Sequence, residues 1–322
     1  MWRGDTMAKA LLKTSDGFSI GFARLGRRGD GRGTPGQEVT DGDTVNIEAD
    51  GNLGVRLLGV DAPERALTLP EVATEAVDRR PGQPFVPLTD ERWERFLSDP
   101  FASGELRLRR SLRDHLEPLL GPGCAANQAR FAEAAKLALR GLVESDLEES
   151  GATRDEFRFF MAFASEVIDG YGRLLCYLNR DQPRPPRPPT YNERLLVTGD
   201  VLPYFIWPNV DPFRVQPSLV QAVPRPGAAP PLADERAAVA AARAEGRGVW
   251  GGEEPLRLSP FELRYLARLA PPERWVIDLA ARDDRLLAPQ LYPRIERPED
   301  RLFVGAEFMP LFESRGWRAV RS

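Results

Sequence analysis

The chain has 322 residues, a formal net charge of −4 and 42% hydrophobic residues. That length exceeds one typical domain, the apolar content suffices for a core, and no uncharged apolar run is long enough to suggest a membrane span. An acidic chain does not draw nucleic acid by its overall field, so any anionic partner has to be gripped locally.

The opening "MWRGDTMAKALLKTSDGF" has no apolar stretch of the kind a secretory signal needs. Cys124 and Cys176 are too few for a disulfide framework and suit a reducing compartment. A cytoplasmic protein is the expectation. "GFSIGFARLG" (17–26) reads as a strand, and the Gly/Arg-rich "RRGDGRGTPGQE" after it as a loop. The RGD tripeptides at Arg3 and Arg28 are chance occurrences in this reading.

Residues 39–65, "VTDGDTVNIEADGNLGVRLLGVDAPER", alternate as strand, turn, strand, yet carry Asp43, Arg56, Asp61 and Glu64 where a plain hairpin has neutral residues. Asp-Gly pairs make turns for backbone reasons, so "DGDT" alone says little. Arg56 interrupts an apolar strand, where a guanidinium needs a partner or an anion. Pro63 biases Ala62 toward an extended conformation, with Asp61 and Glu64 bracketing the turn. Two carboxylates and a main-chain carbonyl are hard oxygen donors that suit Ca²⁺ or Mg²⁺. Zinc is disfavoured with two distant cysteines and one histidine, His115, which reads as a helix-surface residue.

Residues 65–122 read as proline-broken helical stretches, among them "LTDERWERFLSD" and "RLRRSLRDHLEPLL". The arginines 107, 109, 110 and 113 form either a basic strip or a solvated helix face. "CAANQARFAEAAKLALRGLVES" is helical, with Phe131, Ala135, Leu139 and Leu142 at spacings of three and four. "DEFRFFMAFASEVID" reads as strand, with helix as the alternative, and "YGRLLCYLN" as strand. The following "RDQPRPPRPP" is a stiff loop rather than a polyproline ligand. "NERLLVTG" is a short helix closed by Gly199, and an alanine-rich helix with Asp234 near its start ends before Gly248. From Gly251 onward a separate unit mixes a helix ("SPFELRYLARL") with strands ("RWVIDLA", "RLFVGAEF").

"VTDGDTV", "VRLLGVDAPE" and "DGYGRLLCYL", in this order, resemble the thermonuclease (staphylococcal nuclease-like) family. "NERLLVTG" and "AARAEGRGVW" resemble its later helices, so the likeness covers residues 17–64 and 123–252. The resemblance implies an α+β fold: a five-stranded OB-type β-barrel with packed helices. To it are added a long, mostly helical insertion at 65–122 and a small α/β extension at 253–322. It also implies a Ca²⁺-dependent nuclease acting on single-stranded or frayed DNA or RNA, with Asp43, Asp61 and the Ala62 carbonyl as metal ligands. Glu64 would orient or deprotonate the attacking water, Arg56 and Arg173 would hold the scissile phosphate, and Tyr171 and Tyr204 would flank the nucleotide. Gly170 and Ile206 stand where the family often has lysine and tyrosine. The rival reading is a non-catalytic nucleic-acid or protein-binding module. The retention of Asp43, Arg56, Asp61, Glu64 and Arg173 argues against that rival.

Overall fold

Period-two alternation in the C-terminal half puts successive residues on opposite faces of a sheet, and here both faces are buried. The computed structural model describes residues 9–13, 19–25, 47–70, 85–182, 188–210, 232–281 and 283–322. Asp43 and the Gly/Arg-rich loop lie outside the described residues. Two units divide the chain by contacts: residues 1–56 with 166–176, and residues 57–165 with 177–322.

In the first unit, Leu11–Lys13 pairs with Ser19–Gly21 and Ala23–Leu25 with Ile47–Ala49, both antiparallel. The stretch expected as one strand at 17–26 is therefore two short strands, and the strand at Ile47–Ala49 takes the later of them as its partner. The Leu174 amide donates to the Gly54 carbonyl at 2.8 Å, joining the Tyr-Gly-Arg segment to the chain just before Val55–Leu57.

The second unit is built on a six-stranded mixed sheet. Its strands are β1 (Gly59–Asp61), β2 (Leu202–Trp207), β3 (Trp275–Asp278), β4 (Arg285–Leu287), β5 (Arg301–Val304) and β6 (Arg318–Val320). The order across the sheet is β6-β4-β3-β5-β2-β1. β2 runs antiparallel to β1 and parallel to β5. Helices are α1 (Glu91–Ser98), α2 (Arg110–Leu116), α3 (Cys124–Ser150), α4 (Tyr191–Thr198), α5 (Ala233–Ala244), α6 (Pro260–Ala267) and α7 (Met309–Ser314). The ambiguous stretch at 155–169 contains a strand, Phe159–Ala162, antiparallel to Tyr177–Arg180.

Alternation explains the layers. Trp275, Ile277, Leu302, Val304, Phe205 and Trp207 share one core with α4, α5 and α7. Val276 and Phe303, the residues between them, share the other with Trp93, Leu97, Leu112 and Leu116 of α1 and α2 and with Leu263 and Leu266 of α6. Helix ends are fixed locally: α1 begins at Asp90, whose carboxylate accepts from the Arg92 amide at 3.0 Å. A Thr190–Glu193 capping box starts α4, and Gly199, with φ of 75°, ends it.

The insertion thus packs with α6 of the extension on the second face, while the strands of the extension continue the sheet and α7 covers the first face. The boundary expected at 252/253 falls inside this unit, because β3 to β6 extend the sheet that β1 and β2 begin. The fold is mixed α+β. Of the stretches that resemble the barrel family, "VTDGDTV" (39–45) lies outside the described residues; among the described residues the strands form open sheets. No helix there is long and apolar enough to cross a membrane.

Candidate functional site

In the first unit, the Tyr-Gly-Arg motif is a tight turn organised by Asp169. Its Oδ1 accepts from the amides of Tyr171 and Arg173 at 2.8 and 3.0 Å, and its Oδ2 accepts from Arg173 Nε at 2.7 Å. Gly172, with φ of 78°, supplies the left-handed position the turn requires. Burial works to raise the Asp169 pKa; the hydrogen bonds from Arg173 and Tyr171 and the charge of Arg173 outweigh it, so the carboxyl lies below its ordinary range. Arg173 therefore has the strand-edge salt bridge that an arginine without a phosphate would have. Its guanidinium also lies 5.2 Å from the centre of the exposed Tyr171 ring. A Cβ on Gly54 would come within 3.2 Å of Arg173 Cγ, so this glycine makes room for the arginine stem. Arg56 sits half-buried in the strand Val55–Leu57.

The second unit holds Asp61, Ala62, Glu64 and Tyr204. Register pairs Asp61 with Leu202 and Gly59 with Tyr204. Gly59 has φ of 73°, and a Cβ there would meet the Tyr177 hydroxyl at 3.2 Å, so the strand turns at a position only glycine fills comfortably. Asp61 ends β1 fully buried, Ala62 is exposed, Pro63 is buried and Glu64 is half-buried. The Glu64 amide donates to Gln128 Oε1 at 3.2 Å, and Gln128 Nε2 donates to the Leu258 carbonyl at 2.6 Å. The acidic turn is thereby tied to α3 and to the segment leading into α6.

What the two acids hold is Arg264, from α6. Its two terminal nitrogens donate to the two Asp61 oxygens, each at 2.8 Å, and one of them also donates to Glu64 Oε1 at 2.7 Å. Burial works to lower the Arg264 pKa, and the charges of Asp61 and Glu64 more than reverse that, holding it above its ordinary value. One turn earlier on the same helix face, Phe261 stacks on Tyr204 with ring centres 5.7 Å apart and planes 15° apart. The Tyr204 hydroxyl accepts from Arg274 at 3.2 Å. Of the residues expected at the site, Asp61, Glu64 and Tyr204 lie together beneath α6. Arg173 and Tyr171 lie together in the other unit.

No family model, curated protein or solved structure matches the chain. The site therefore rests on its own chemistry. Among the described residues no three histidine, cysteine or acidic side chains are grouped to hold a metal ion. In the arrangement described, the donors do not fit calcium. Calcium takes six to eight oxygens at about 2.3–2.6 Å, whereas both Asp61 oxygens and one Glu64 oxygen are committed to a guanidinium.

Sequence reasoning passed over Arg264, Phe261, Asp169 and Gln128. Arg264 had a visible signal, because it interrupts the apolar run of "PFELRYL" as Arg56 interrupts "VRLLGV". His115, read as a surface residue, is half-buried; its Nε2 lies 3.1 Å from Glu262 Oε1, which also accepts from the Tyr292 hydroxyl at 2.6 Å. Desolvation works to raise the Glu262 pKa, but bonding to His115 and Tyr292 brings it below the ordinary value. This buried network joins α2 of the insertion to α6 and to the segment Pro289–Arg294.

Proposed function

We propose that the chain is a phosphodiesterase that cleaves DNA or RNA, single-stranded or frayed, in the manner of the thermonucleases, with an OB-type barrel in its N-terminal part. The carrying observation is that Asp61 and Glu64, paired by motif, converge on one cationic group. The ordered motifs supply the rest. Phosphodiester cleavage accumulates negative charge on the phosphate oxygens, and Arg56 and Arg173 are the permanently charged forks that would bind it. Glu64 would accept the proton of the attacking water. Tyr171, which is 62% exposed, would stack on a base. Calcium at Asp43, Asp61 and the Ala62 carbonyl belongs to this proposal only for an arrangement in which Arg264 has left Asp61. A cytoplasmic setting fits two buried cysteine thiols.

The rival reading, a nucleic-acid or protein-binding module without catalysis, is favoured by one observation: α6 occupies both the acids and Tyr204. Digestion of labelled single- and double-stranded DNA and RNA in calcium, magnesium or chelator separates the two. The hydrolase reading expects cleavage that a chelator abolishes; binding without cleavage under every condition would establish the rival.

A further inference from the structure

We propose that Arg264 is the resident cation of the Asp61–Glu64 pair and competes with a divalent ion for it. The inference rests on the proposed hydrolase reading, in which Asp61 is a metal ligand and Glu64 the general base beside it. Arg264 is built into the place: its side chain is 19% exposed, Asp61 is 2% exposed, and the guanidinium spans both carboxylates. The fork geometry matters, since a planar guanidinium matches a carboxylate bidentately and a lysine ammonium does not. A calcium ion drawn to the same oxygens would meet a like charge a few ångströms away. The Coulomb cost of that approach rises as the site dries, so ion and guanidinium exclude each other.

The helix itself does not have to leave. Leu263, Tyr265 and Leu266 are fully buried in the core and anchor α6, while the arginine stem has the rotatable bonds to swing away. Phe261 on Tyr204 belongs to the same occupancy, so one helix face covers both the acids and the ring expected to meet substrate. The apparent affinity for calcium is then the intrinsic affinity scaled by the fraction of molecules with Arg264 withdrawn. If that fraction is about one in ten or less, removing the arginine tightens calcium binding at least tenfold.

The test is a calorimetric titration of CaCl₂ into the full-length wild type, Arg264→Met and Arg264→Lys. Methionine keeps the apolar stem and removes the charge; lysine keeps a charge without the fork. The expected result is a Kd at least tenfold lower for Arg264→Met, with Arg264→Lys between it and wild type. Calcium should also raise the melting temperature of Arg264→Met more than that of wild type, since the ion replaces a lost counter-charge. Should Arg264→Met prove insoluble, tighter binding by Arg264→Lys than by wild type carries the proposal. Equal Kd values across the soluble proteins, or no calcium binding by any of them, would overturn it. Cleavage does not enter this readout, so loss of the hydrolase reading would show separately, as intact nucleic acid beside an altered calcium affinity.

Discussion

Ending the chain at Pro255 removes α6, β3 to β6 and α7 in one step. Left behind on the second face, Trp93, Leu97, Leu112 and Leu116 lose Leu263, Leu266, Val276, Tyr292 and Phe303, with which they share a core. On the first face Trp207 loses Phe308 and Phe312, whose rings lie 4.7 and 5.0 Å from its own. Burial of a large apolar side chain contributes about 1.5–3 kcal/mol. The uncovered residues together forfeit on the order of 10 kcal/mol, comparable with the ~5–15 kcal/mol net stability of a whole domain. β2 also loses its parallel partner β5, which opens a sheet edge. Residues 1–255 should therefore aggregate, or lack a near-ultraviolet circular dichroism signal and a cooperative melt, when compared with the full chain by size exclusion and spectroscopy. A monomeric 1–255 that melts cooperatively would refute the idea that the insertion and the extension belong to one folded body.

The arginines of α2 are charge-balanced: Arg113 lies 2.8 Å from Glu117, and Arg110 3.9 Å from Asp114. Arg110→Ala/Arg113→Ala should leave the salt dependence of single-stranded binding unchanged; a slope shallower by about 1.4, two contacts' worth, would restore these arginines to the substrate path. Burial pushes the thiols of Cys124 and Cys176 from 9.0 up to about 11. An acid whose folded pKa is raised lends stability that is complete below pH 9 and is lost as pH climbs toward 11. Denaturant midpoints should fall across that window in wild type and less in Cys124→Ala/Cys176→Ala; a flat wild-type profile would contradict the burial.

Local features were legible wherever the signal was local. The period of α3, the short helix α4 closed by Gly199, and the strands Trp275–Asp278 and Arg301–Val304 were all readable from the sequence, whereas the Thr190–Glu193 box that starts α4 was passed over. Partner choice was not. The apolar faces of "LTDERWERFLSD" and "SPFELRYLARL" announce helices that must bury something, but not that they bury one another against Val276 and Phe303. The same limit applied at the site. Arg56, Asp61 and Glu64 stood out as charges in an apolar stretch, whereas the cation held by Asp61 comes from 203 residues further along the chain. Nothing periodic spans that separation. A C-terminal segment read as a detached unit hides the contact completely.

Glu64 bears most directly on the central claim, because it would accept the proton of the attacking water and is the more exposed of the two acids on Arg264. Single-turnover cleavage of labelled single-stranded DNA and RNA at saturating calcium should compare wild type with Glu64→Gln, with circular dichroism run alongside. The account predicts unchanged spectra and a rate lower by about 10²–10⁴, the usual worth of general-base catalysis. A Glu64→Gln protein as fast as wild type would contradict it.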